Sequence, residues 1–149
     1  MGCAKRMKIC LRIAGLGLLL SSACGGENSQ RGEAQALLER ISALDLKAVP
    51  AERARRIERL RALPLTDAGL ARARDRCVLA HTGLLSAELE QALARQRLDA
   101  AAGRGTPVAK GELDAIAASV AHASQSLREA QAALPECEQS TRALAVRYR

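Results

Sequence analysis

The chain contains no Phe and no Trp, and Tyr148 is its single aromatic residue. Without aromatic platforms it has nothing on which the bases of single-stranded nucleic acid would stack, so no nucleic-acid partner is expected. The core must be aliphatic. Long hydrophobic runs are also missing. The longest is Ile13–Leu20, whereas about 20 apolar residues are needed to cross a bilayer as a helix. Strand-favouring β-branched residues are sparse as well. Ala, Leu, Arg, Glu and Gln dominate instead, and these are strong helix formers. The fold class expected is all-α.

The formal net charge is +7, but Lys5, Arg6, Lys8 and Arg12 crowd the first twelve residues. Beyond residue 23 the chain carries 19 basic and 16 acidic side chains. Such a near-balanced surface does not steer the chain toward polyanions. The basic pI belongs largely to the N-terminal segment, which reads as a basic stretch, an apolar run and the small residues Ser21, Ser22 and Ala23 before Cys24. That order is the one a secretion signal requires. Met7 opens a complete signal by itself. The myristoylation motif is not met, because Arg6 stands where Ser or Thr is needed.

The segment Leu20-Ser21-Ser22-Ala23-Cys24 resembles the bacterial lipobox, with its Leu one position earlier than the family pattern has it. The resemblance covers residues 1–24. It implies that a diacylglycerol is attached to the Cys24 sulfur, that the signal 1–23 is removed and that Cys24 becomes an N-terminus whose amino group can be acylated. More than one acyl chain is needed for stable anchoring, since a single one binds reversibly. Gly25 rather than Asp follows the lipid site. The enterobacterial sorting rule then implies the outer membrane, with the domain facing the periplasm and a membrane partner reached through the lipid on Cys24.

Residues 24–31 are small and polar and read as a flexible tether reaching at most roughly 20 Å. Residues 32–149 read as one helical domain. Leu37, Leu38, Ile41 and Leu44 predict a first helix over 32–44. Pro50 opens a second, to about Leu63, with Ala54, Ile57 and Leu60 inward and Arg53, Arg55, Arg56, Arg59 and Arg61 on a solvated face beside Glu52 and Glu58. Thr66 is the expected N-cap of a third helix ending at Gly103 and Gly105, with Leu65 and Leu70 as a hydrophobic staple. Thr106 and Pro107 are expected to open a fourth.

On the fourth helix Leu113, Ile116, Val120, Ala123, Leu127, Ala130, Leu134, Cys137, Thr141, Leu144 and Tyr148 recur in steps of three and four, a coiled-coil seam. Pro135 predicts a kink or short break within it. The third helix answers with Leu70, Cys77, Leu84, Gln91 and Leu98 at one heptad position and Ala73, Ala80, Ala87, Ala94 and Ala101 at the other. The architecture expected is a long antiparallel hairpin packed with two shorter helices, a small four-helix bundle.

Cys3 and Cys10 leave with the signal and Cys24 is acylated, so Cys77 and Cys137 remain to pair in an oxidising compartment. Their midpoint in sequence is Pro107, inside the expected turn, so an antiparallel hairpin sets them opposite each other. His81 shares a helix face with Cys77, but His122 stands about 22 Å along its helix from Cys137, and a metal needs three or four convergent ligands. No metal and no cofactor is expected. GRGTPVAKG lacks the spacing of a phosphate-binding loop, and no Ser/His/Asp set points to catalysis. The chain is read as a non-enzymatic, lipid-anchored envelope protein that binds another protein, with self-association through the long seam as a further outcome. Pilotins of secretion systems, small helical lipoproteins with one disulfide, are similar in architecture, which implies an assembly role. The alternative class is a small-ligand module, against which the Ala-rich seam counts, because close helices leave little cavity.

Overall fold

The computed structural model describes residues 23–105 and 107–148, with side chains from Asn28 onward. It is all-α: α1 (Ala23–Ser42), α2 (Pro50–Arg61), α3 (Ala68–Gly103) and α4 (Lys110–Arg147). The last two form a long antiparallel hairpin, and α1 and α2 pack near the end where α3 begins and α4 finishes. We call that end the base and the α3–α4 turn the tip. The expected signal, apart from Ala23, lies outside the described residues.

Helix α1 begins nine residues earlier than the apolar pattern predicts, so residues 24–31, expected as a loose tether, have helical backbone. Leu37 and Ala34 are fully buried and supply the nucleus. Extension from a packed nucleus costs far less than starting a helix, and the Gln30 amide donates to Asp67 Oδ2 at 2.7 Å. The unfavourable pair Gly25-Gly26 does not stop it.

Pro50 opens α2 as expected. At the start of α3 the cap is Asp67, not Thr66: its Oδ1 accepts from the Leu70 backbone N–H at 2.8 Å. Thr66 is engaged elsewhere, donating its hydroxyl and backbone N–H to Glu33 of α1. Leu65 and Leu70 nevertheless belong to the same apolar cluster. After α3, Gly105 takes φ +62°, a conformation with little cost only for glycine.

Helix α4 starts at Lys110, with Ala109 at the N-cap position and no side-chain cap, so Pro107 lies in the turn rather than at the first helical position. Thr106 lies outside the described residues. Pro135 does not break the helix, which runs on to Arg147. Proline removes the bond to the carbonyl four residues back, and here both Pro135 and Gln131 are exposed, so water can satisfy that carbonyl.

The core occupies the base half. Leu37, Leu60, Leu70 and Cys77 are its fully buried large side chains, joined by Ile57, Val78, Leu85 and Cys137, with Ile41, Leu44, Leu144 and Tyr148 packed around them. Toward the tip the hairpin continues as two helices alone. Its seam on α3 is the row Ala73, Ala80, Ala87, Ala94 and Ala101, all buried as expected. On α4 one expected row holds in part, with Ile116, Ala130 and Cys137 buried and Ala123 and Leu144 half-buried. The other is displaced by one residue. Ser119, Ser126 and Ala133 are buried, whereas Leu113, Val120 and Leu127 are 48%, 49% and 40% exposed. Gln91 and Leu98 of α3 also stay outside. Close approach is the reason. Facing rows of Ala bring the helices together, and only small residues then fit between them. Gly83 marks the tightest point, where an added Cβ would lie 2.8 Å from the Ser126 carbonyl oxygen.

Candidate functional site

Two flanks of the hairpin differ in chemistry, and their register is fixed by contacts. On one, Arg76 pairs with Glu136 at 2.9 Å, His122 stands 3.7 Å from Glu90, and Arg97 donates to the Ala115 carbonyl and the Ser119 hydroxyl, each at 3.3 Å. Arg104 closes the series near the tip by pairing with Glu112. Polar groups bridge this flank along its length.

On the other, Cys77 Sγ and the Thr141 hydroxyl lie 4.0 Å apart. Steps of seven from that contact set Leu84 level with Leu134, Gln91 with Leu127 and Leu98 with Val120, and bring Leu113 into the same row near the tip. At the base Leu70 and Tyr148, members of these rows, are covered by α1 in the cluster with Ala34 and Leu37, and α1 touches both α3 and α4. Leu44, just past α1, lines one cavity with His81, and Leu85 is the last member of the base cluster along α3. Beyond it Leu98, Leu113, Val120 and Leu127 face solvent. No charged residue occurs from Ala115 through Leu127.

The predicted site residues fall in two separate places. Cys24 occupies the first turn of α1, and its side chain lies outside the described set. Cys77 and Cys137 are joined, S–S 2.02 Å and Cα–Cα 4.7 Å, across 60 residues, and both are buried within the base cluster. The bond removes the thiolate that a metal shared with His81 would need. Among the described residues no group of three or more His, Cys, Asp or Glu converges, and no helix is long and apolar enough to cross a membrane.

One residue departs from its expected role. Arg53, assigned to the solvated face of α2, is only 6% exposed and pairs with Glu88 of α3. Its spacing to Ile57 and Leu60, four and seven residues on, places it on the inward stripe, a signal present in the sequence but masked by the neighbouring arginines. Arg56 and Arg61 keep the expected partners Glu52 and Glu58. Beside Arg53, half-buried His81 borders a cavity of about 10 Å³ lined also by Leu44, Asp45, Leu46, Arg56 and Ile57, at the lower limit for one water. Burial lowers the His81 pKa, and the Arg53 charge adds to the effect.

The α1–α3 junction is a second polar cluster. Glu33 accepts from the Thr66 hydroxyl and backbone N–H and from the Asp67 N–H. The Thr66 bonds hold its carboxyl below the ordinary value of 4.5. The Leu70 N–H does the same for Asp67, helped by Gly69, Gln30 and Arg147. These groups brace α1 against the start of α3.

Compared with family models, curated proteins and solved structures, the chain matches none.

Proposed function

We propose that the protein is a lipid-anchored, periplasm-facing component of a bacterial envelope, a non-enzymatic helical adaptor that binds another protein. The observation that carries this reading is the succession of basic, apolar and small residues in the sequence before Cys24. A long disulfide-closed hairpin is a rigid body of the kind an adaptor uses, and its exposed apolar side chains are a resource for contact. The start of α1 at Ala23 supports a short link to the membrane. The six helical steps from Cys24 to Gln30 span about 9 Å, less than half the reach of an extended tether.

The test is mass analysis of the N-terminal peptide from protein recovered from its host's membrane fraction. Cys24 should be the first residue and carry diacylglyceryl, and Cys24→Ala should move the protein out of that fraction. An unmodified Cys24 in a soluble protein would overturn the reading. The narrower version, an assembly factor similar to pilotins, predicts recovery of a secretion-system subunit when the lipidated protein is purified from its host with bound partners.

A further inference from the structure

We infer that the uncovered apolar flank near the tip is the contact surface for a second copy of this chain, packed antiparallel about a two-fold axis. The inference does not rest on the lipid anchor.

The first ground is continuity. In the base half this same flank is occupied by a helix of the chain itself, α1, which lies against the rows containing Leu70 and Tyr148. The rows run on toward the tip as Leu98, Leu113, Val120 and Leu127, each 40–49% exposed. A surface that seats one helix at the base thus remains open to another.

The second is charge. Ala115 through Leu127 carry no ionisable group except His122, whose side chain lies on the bridged flank beside Glu90. This gap occurs in a chain that is 26% charged. Two like copies of this α4 stretch meet without repulsion, and the exposed charges beside Leu98 on α3, Arg95 and Asp99, are of opposite sign.

The third is symmetry and length. Leu113, Val120, Leu127 and Leu134 recur every seven residues, so the row is unchanged by reversal about the small pair Ala123 and Ser124. An axis there sets Val120 of each copy against Leu127 of the other, and Leu113 against half-buried Leu134. The tip of each copy, where α4 begins at Lys110, then lies level with Cys137 of its mate, at the margin of the base cluster. A flank about 30 Å long and about 20 Å wide gives an isologous contact of roughly 1,200 Å² counting both sides, at the lower edge of stable interfaces. The dimer should therefore depend on concentration.

Sedimentation velocity of the full chain in mild detergent, from 1 to 200 µM on a scale suited to such an interface, tests this. The wild type should pass from monomer to dimer. Val120→Glu with Leu127→Glu should weaken association at least tenfold while helical content and the disulfide are retained. Leu89→Glu, on an exposed part of α3 outside these rows, should leave it unchanged. A photo-crosslinker at Val120 in the host should trap a species of twice the chain mass. A wild type monomeric throughout, equal loss in Leu89→Glu, undiminished dimer in the double variant, or a crosslink to a different protein or to lipid would each overturn the inference.

Discussion

The base and tip halves of the α3–α4 hairpin share a seam but not a surrounding. In the base half four helices enclose Leu37, Leu60, Leu70 and the Cys77–Cys137 bond. In the tip half two helices touch through Ala and Ser, and larger apolar side chains stay in water. Stability should therefore be concentrated at one end, while the other end has apolar surface free for contact. Substitutions of the same kind at the two ends should have unequal effects.

The largest expected loss comes from the disulfide. Replacing Cys77 and Cys137 together by Ala opens a loop of 60 residues and should cost about 4 kcal/mol in the chain-entropy account, read as a lower urea midpoint. Mass mapping of the exported protein without reductant should recover the two cysteines in one linked peptide. Leu60→Ala, at a fully buried base position, should cost about 3 kcal/mol. Leu113→Ala near the tip should change the stability of the monomer by less than about 0.5 kcal/mol. Comparable losses at the two leucines would break the comparison.

Gly83 stands where the halves join. Gly83→Ala should separate the helices against the Ser126 carbonyl and Ala130 and cost about 1–2 kcal/mol, overpacking outweighing the gain in helix propensity. Gly32→Ala, in open space on α1, should instead stabilise by about 0.5 kcal/mol. Thermal melts of the pair give the two signs.

The smallest effects are those of pH, both at the base. His81 has a lowered pKa, so the unfolded chain binds its proton first, and stability should fall as pH drops below about 6.5, the ordinary value. His81→Gln should flatten that slope. Glu33 and Asp67 have lowered values too. As acids they contribute stability that is present above their ordinary values and lost as pH falls through the folded ones. Acid should therefore loosen α1 first, and Glu33→Gln should reduce that dependence; denaturant melts between pH 7 and 3 measure both.

Periodicity alone reveals the hairpin, the Ala row of α3 and the pairing of Cys77 with Cys137, because each depends on spacing within one helix or on distance from a turn. It misplaces Val120 and Leu127, since a hydrophobic pattern ranks residues by size and apolarity, while the distance between two Ala-lined helices admits Ser119 and Ser126 instead. Arg53 was similarly hidden by charge, although its position relative to Ile57 is inward. Capping at Asp67 rather than Thr66 depends on Glu33, 33 residues from Thr66, a tertiary contact with no local signature. Cys24 is the reverse case, prominent in sequence and positioned here only by the backbone of α1.

Hydrogen exchange along α3 of the full chain, dilute and concentrated, tests the division of the molecule most directly. Amides from Ala73 to Leu85 should exchange at the rate of global unfolding at both concentrations. Those from Ala94 to Ala101 should exchange faster when dilute and slow down when concentrated, as the tip flank becomes covered. Uniform protection along the helix in dilute solution, or a tip whose exchange ignores concentration, would contradict the account.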